Sequence, residues 1–265
     1  MGGVRLGIIG DPVAHSLSPK MHQAAMHQLG INGEYLLLPT QAAELARRLE
    51  EVRAGFSGVN VTVPHKRAVM PLLDEVEDRA RAIGAVNTIA NRGGVLLGYN
   101  TDAPGFYRAL ESAGFLTGEA LVLGAGGTAR AIVYELVSRG WLVGVANRTF
   151  ARAEQLAAEL GAWAVAPDKI SKAVSKTPLL INATSAGLHD PDQTPLPDGA
   201  LPADGAVVDI VYGPRRTKLL RQAAAAGLAT MDGLEMLLQQ GALAFELWSG
   251  GPAPLAAMRR ALEEG

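Results

Sequence analysis

The chain contains no cysteine, which excludes a disulfide scaffold, thiol chemistry and a cysteine-based zinc site. An excess of one charge is also lacking: 24 Lys and Arg stand against 26 Asp and Glu, a formal net charge of -2 at pH 7. That balance argues against a nucleic-acid footprint and against an anionic membrane as partner. No uninterrupted apolar run approaches a membrane span. The N-terminus lacks the charged, apolar and cleavage regions of a leader, and "MGGVRL" has no Ser or Thr at position six for myristoylation. The expectation is a soluble cytoplasmic protein. Internal repeats and low-complexity linkers are missing too. His15, His22, His27, His65 and His189 show neither ligand spacing nor carboxylate clustering, so no metal is expected. His65 beside Lys66 is read as structural, because adjacent strand or loop side chains point apart.

What is present is ample core material. Hydrophobic residues make up 48% of 265 and charged residues 19%, enough for one large folded domain or two ordinary ones. "VRLGIIG", "EYLLLP" and "GVNVTVP" read as strands separated by helices near 19–29 and 41–53. "GAVNTIANRGGVLLGYN" reads as a hairpin about an Asn91–Gly94 turn. After a helix near 103–113, a second series follows, with strands at 120–123, 142–146, 178–183 and 206–210. The chain closes with helices near 232–248 and 254–263, and the Pro/Asp-rich stretch 189–205 reads as a loop. Such β–α alternation predicts an α/β protein with mostly parallel sheets covered by helices, repeated twice.

The most specific local signal is "ALVLGAGGTARAIVYELVSRG". Gly124, Gly126 and Ala129 fill the small-residue positions of G-x-G-x-x-G/A between a strand and a helix. The first allows the tight turn, the second lets the backbone approach a pyrophosphate, and the third packs helix on strand. The helix N-terminus adds oriented N–H groups. At the end of the next strand, where NAD sites carry Asp or Glu, "NRTFAR" places Asn147, Arg148, Thr149 and Arg152. Arg148 and Arg152 are either solvated charges at a helix start or partners of a ribose 2′-phosphate. One or two charged hydrogen bonds of roughly 1.5–3 kcal/mol each would favour NADP over NAD by roughly 10- to 1000-fold. NADP(H) is therefore the expected cofactor.

A nicotinamide cofactor implies hydride transfer, so another segment must hold its partner. In "HSLSPKMH", Ser18 and Pro19 read as the N-cap and first residue of a helix, and with Ser16 they put two hydroxyls where a carboxylate could sit. Asn60 and Thr62 share one face of "GVNVTVPHK", opposite Val59, Val61 and Val63, with Lys66 just beyond the strand. Asn87 and Asp102 also lie at strand or hairpin ends, although Asp102 could simply cap the helix carrying Pro104. Gln240 interrupts the apolar stripe of Leu237, Ala244 and Leu247, and a buried amide needs partners. One lysine, one carboxylate, several amides and several hydroxyls suit a small polyhydroxylated carboxylic acid.

Taken in order, "SLSPKMH", "NVTVPHK", "GAVNTI", "NTDAPGF", "VLGAGGTAR", "NRT", "INATSAG", "DIVYGPRRTKLL" and "LLQQGALAFELW" resemble the shikimate dehydrogenase family over nearly the whole chain. The resemblance implies an N-terminal α/β substrate domain, 1–101 plus 235–265, a Rossmann-fold NADP-binding domain, 102–234, and a cleft between them. It implies reversible reduction of 3-dehydroshikimate to shikimate by NADPH, within aromatic amino-acid biosynthesis. By motif, Ser16, Ser18 and Tyr212 would hold the carboxylate. Asn60, Thr62, Lys66, Asn87, Asp102 and Gln240 would surround the ring, with Lys66 and Asp102 as catalytic pair. The cofactor side would comprise Gly124, Ala125, Gly126, Gly127, Thr128, Ala129, Asn147, Arg148, Thr149 and Arg152. Thr184, Ser185, Gly233 and Met236 join them; Met236 could equally be core. The other readings are a quinate/shikimate dehydrogenase of broader specificity, against whose NAD-using forms the missing acid at 147–149 argues, and a catalytically silent NADP sensor. The expected partner is a small-molecule substrate, in a monomer or homodimer.

Overall fold

β1 (Val4–Gly10) is buried from Leu6 onward, as a central parallel strand covered on both faces should be. It leads into α1 (Ser18–Gln28), β2 (Gly33–Pro39), α2 (Leu45–Gly55), β3 (Gly58–Val61), β4 (Glu75–Val76), α3 (Asp78–Ile83), β5 (Thr88–Arg92) and β6 (Val95–Tyr99). The computed structural model describes residues 3–264 and divides them into two units. One runs to Gly105 and resumes at Leu237; the other is Phe106–Met236.

The first unit carries a six-stranded sheet in the order β2-β1-β3-β5-β6-β4. β1 is parallel to β2 and β3, and β5 runs antiparallel to both β3 and β6. The β5–β6 hairpin turns on Gly93 and Gly94, both with positive φ, the backbone a tight two-residue hairpin demands. Asn91 locks it: its Oδ1 accepts from Gly94 N at 2.8 Å, while Nδ2 donates to three carbonyls at the end of α2.

The strand expected through Val63 stops at Val61. Val59 and Val61 are buried, but Val63 is 63% exposed, because the chain turns there, with His65 N donating to Thr62 O. Ser18 is likewise displaced from its expected N-cap position. Leu17 occupies the N-cap, and the Ser16 hydroxyl accepts from Ser18 N at 3.2 Å.

α4 (Asp102–Ala113) leads into the second unit, followed by β7 (Glu119–Leu123), α5 (Gly127–Ser138), β8 (Leu142–Ala146), α6 (Phe150–Leu160), β9 (Trp163–Ala164), α7 (Ile170–Val174), β10 (Leu179–Asn182), β11 (Ala206–Asp209), α8 (Lys218–Ala225) and β12 (Ala229–Met231). α9 (Leu234–Ser249) and α10 (Leu255–Glu263) return the chain to the first unit. All six strands of the second sheet are parallel, in the order β12-β11-β10-β7-β8-β9. This is the doubly wound order in which ligands bind where the strand order reverses, here between β7 and β10. Val122, Ile132, Val143 and Val145 pack on one face and Leu121, Leu123, Leu180 and Val207 on the other. Each such side chain contributes about 1.5–3 kcal/mol on burial. The two-residue β9 and three-residue β12 lay below the reach of periodicity. No helix among the described residues is long and apolar enough to cross a membrane.

Candidate functional site

In the first unit a lysine and a carboxylate meet out of water. Lys66 Nζ lies 2.5 Å from Asp102 Oδ2, and the two side chains are 10% and 6% exposed. Asp102 opens α4 but does not cap it: Asn100 Oδ1 accepts from Ala103 N at 3.1 Å. The Asp102 carboxylate is thereby left to side chains, and its Oδ1 accepts from Asn87 Nδ2 at 2.8 Å. A buried pair of this kind is held by such additional bonds, since Coulomb attraction alone rarely repays desolvation.

Asn87 is the hub. Its Oδ1 accepts from Thr101 N at 2.7 Å, which turns Nδ2 toward Asp102 and, at 3.3 Å, toward Gln240 Oε1. Gln240 arrives because α4 and α9 approach closely at Gly105, where an added Cβ would lie 2.7 Å from the Gln240 backbone. Its Nε2 donates to Leu237 O at 2.8 Å.

Asn60 is bonded into the same network. It is 5% exposed, with Oδ1 accepting from Tyr35 OH at 2.7 Å and Nδ2 donating to Asn87 O and Thr88 Oγ1. Thr62 is half-buried, and its hydroxyl has no hydrogen-bond partner among the described residues. Ser18 is buried and Ser16 half-buried ahead of α1. His65 is structural, its Nε2 donating to Thr40 O at 2.7 Å. Tyr212, half-buried after β11, belongs to the second unit.

The second unit holds the glycine cradle. Gly124 has φ +115°, and a Cβ there would lie 2.8 Å from Ala183 O, so only glycine fits. Gly126 is the N-cap of α5, and a Cβ on it would meet nothing within 4 Å. Open space thus lies before the first turn, where Gly127 and Thr128 present N–H groups, while Ala129 is fully buried against the sheet. Ala125 is half-buried in the turn. At the end of β8, Asn147 Nδ2 donates to Thr149 O at 2.9 Å. Arg148 and Arg152 are exposed, and neither is in an ion pair among the described residues. A backbone cradle and two unengaged guanidiniums, with no carboxylate at 147–149, fit a dinucleotide carrying a 2′-phosphate.

Thr184 turns its hydroxyl inward, to Asn182 Oδ1 at 2.7 Å, whereas Ser185 is exposed. Gly233 is required by a close approach, since its Cβ would lie 2.0 Å from Ile210 O. Met236 is a core residue, 7% exposed among the side chains around Phe106.

Tyr35, Thr88, Thr101, Asn182 and Asp209 were not singled out from the sequence. A lone tyrosine in "EYLLLP" and an acid closing the apolar "AVVD" were the available signals, because a buried phenol or carboxyl must find partners.

Residues 8–89 match the family Shikimate dehydrogenase substrate binding domain, residues 109–211 Shikimate / quinate 5-dehydrogenase, and residues 233–263 Shikimate 5′-dehydrogenase C-terminal domain. The chain is 50% identical over 248 residues to the NADP(+) shikimate dehydrogenase of Thermus thermophilus, covering 93% of each. It is 46% identical over 272 residues to that of Symbiobacterium thermophilum, covering 97% of this chain and 92% of the relative. A crystal structure of the Thermus thermophilus enzyme with NADP(H) and shikimate superposes with a TM-score of 0.91 at 47% identity, covering 98% and 99% of the two chains. A quinate dehydrogenase from Corynebacterium glutamicum in complex with NAD gives 0.90 at 32% identity, covering 99% of each chain.

Proposed function

The chain belongs to the shikimate dehydrogenase family, and from that premise we infer that Lys66 and Asp102 are the acid–base pair of its reaction. The protein is an NADP-dependent oxidoreductase that interconverts 3-dehydroshikimate and shikimate, a step toward chorismate and the aromatic amino acids. The observation that carries the assignment of the pair is the buried 2.5 Å contact between Lys66 and Asp102, with Asn87 joined to Asp102 and Gln240.

Bound NADPH supplies the hydride. Lys66 gives its proton to the carbonyl oxygen as negative charge develops there, a contribution of typically 10²–10⁴-fold for a positioned acid. In the oxidative direction Lys66 takes that proton back, which alkaline pH favours. Asp102 orients the ammonium, and Asn87 holds Asp102. Thr62 and Gln240 meet ring hydroxyls, while Ser16 and Ser18 receive the carboxylate ahead of α1. Asn60 acts through Asn87 and Thr88 rather than on the ring. The turn 124–127 and the first turn of α5 receive the pyrophosphate, and Arg148 and Arg152 the 2′-phosphate.

The test is formation of NADPH, followed by absorbance, from NADP and shikimate, run beside quinate and beside NAD. Turnover confined to shikimate with NADP supports the reading. Comparable turnover with quinate or NAD moves it to a broader quinate/shikimate dehydrogenase and undoes the role of Arg148. Folded protein that binds NADP but turns over no pair would sink the chemistry.

A further inference from the structure

We propose that Asp209 is a positioning residue of the dinucleotide site, acting through Asn182 on the turn that walls the Gly124 cradle; this rests on the cofactor reading above. Asp209 closes β11 and is fully buried. Its Oδ1 accepts from Asn182 Nδ2 at 2.9 Å and from Val211 N at 3.1 Å, and its Oδ2 from Thr217 Oγ1 at 2.7 Å. Burial pushes this carboxyl up to about 6, with the three donors pulling the other way and Asp232 adding to the rise. A group kept at that disadvantage asks for a reason beyond packing.

The reason lies in what a carboxylate dictates. An ionised carboxylate only accepts hydrogen bonds, so Asn182 must face it with its NH2 end. Asn182 Oδ1 is thereby turned to Thr184, accepting from its N at 3.0 Å and from its Oγ1 at 2.7 Å. The same NH2 reaches Ala186 O at 3.3 Å, and Thr184 Oγ1 accepts from Ala186 N at 3.1 Å. Two side chains thus clamp the turn from Ala183 to Ala186. That turn stands against the first glycine of the fingerprint. Ala183 N donates to Leu123 O at 2.8 Å, and a Cβ on Gly124 would lie 2.8 Å from Ala183 O and 3.3 Å from Thr184 Cγ2. The orientation set at Asp209 is passed through Asn182 to the backbone that cradles phosphate. Reversing the Asn182 amide would leave the Thr184 N–H and hydroxyl facing another donor, and the turn would move.

Fluorescence titration of the full chain with NADPH, beside steady-state kinetics, tests this. Asp209→Leu is expected to raise the NADPH Kd and KM together by roughly tenfold or more, leaving the KM for shikimate unchanged. Asp209→Asn, which keeps an oxygen for Asn182 and Val211, restores most of the affinity. Asn182→Ala reproduces the loss with Asp209 intact and carries the test if Asp209→Leu does not fold. Thr217→Ala removes the bond to the other oxygen together with the α8 cap. It lowers the melting temperature while leaving the NADPH Kd unchanged. Wild-type NADPH affinity in folded Asp209→Leu or Asn182→Ala overturns the proposal, as does a loss in Thr217→Ala equal to that in Asp209→Leu. A wild-type chain that folds and binds no NADPH fails at the cofactor reading itself, and the proposal falls with it.

Discussion

Acid should weaken this fold through His22, and one substitution should remove that weakness. His22 is fully buried on α1, and among the described residues neither ring nitrogen has a partner within hydrogen-bonding geometry. It stacks on Tyr35, with ring centroids 4.6 Å apart and an interplanar angle of 7°, and is flanked by Phe245 and Trp248. Burial pushes its pKa from 6.5 down to about 3, against a smaller upward pull from the Asn60 amide. The unfolded chain therefore takes up this proton near pH 6.5 and the folded chain only near 3. Between those values the unfolded state binds more protons, so stability falls as pH falls. With that shift, the loss between pH 7 and about pH 4.5 is roughly 2.5 kcal/mol, at about 1.4 kcal/mol per pKa unit. That is a large share of the ~5–15 kcal/mol by which native proteins are stable. Urea unfolding of the wild type and of His22→Leu at both pH values measures it. Carboxylates common to both chains cancel in the difference, so the wild type should lose roughly 2.5 kcal/mol more than the variant. Parallel losses in the two chains would refute the reasoning, and would mean that His22 finds a proton acceptor or water in the folded state. At neutral pH the variant is relieved of an unpaired polar ring, a cost of ~1–3 kcal/mol, which offsets part of the lost stacking.

Replacing Lys66 by Ala should lower kcat by roughly 10²–10⁴-fold, and the carboxylate it leaves buried should reduce stability by ~3–5 kcal/mol in denaturant unfolding. A folded Lys66→Ala chain with full turnover would remove the lysine from the chemistry. Arg148→Ala should narrow the preference for NADP over NAD in kcat/KM by roughly 10- to 100-fold, the worth of one charged hydrogen bond. An unchanged ratio would return Arg148 to the solvated surface. Gly105→Ala places a methyl 2.7 Å from the Gln240 backbone. It should lower stability by ~1–3 kcal/mol, as overpacking does, and raise the KM for shikimate; a neutral outcome would show that α9 gives way without cost.

The phosphate cradle was legible in the sequence because everything that makes it is local. A buried strand, a glycine turn and an amphipathic helix follow one another within "ALVLGAGGTARAIVYELVSRG", and each obeys a rule spanning a few residues. The Asn91–Gly94 hairpin was legible for the same reason. Local rules misplaced Ser18 by one position and carried the β3 strand on to Val63. A cap and a strand end are set by which backbone groups find partners, not by residue type alone. The short strands β4, β9 and β12 carry too few residues for any period to show.

The sequence by itself determined the two α/β series, the dinucleotide fingerprint, the absence of an acid after β8 and the set of polar residues awaiting a ligand. Only the tertiary structure decided which of those residues touch. Lys66 and Asp102 stand 36 residues apart, and Asn87 and Gln240 stand 153 apart. It also decided that Asn60 bonds to Asn87 and Thr88, that the His22 ring is buried with no hydrogen-bond partner among the described residues and that Asp209 bonds to the Asn182 that holds Thr184. Periodicity tells which face of an element is buried. Which polar groups meet there depends on strand order and helix approach, and those are settled only when the whole chain packs.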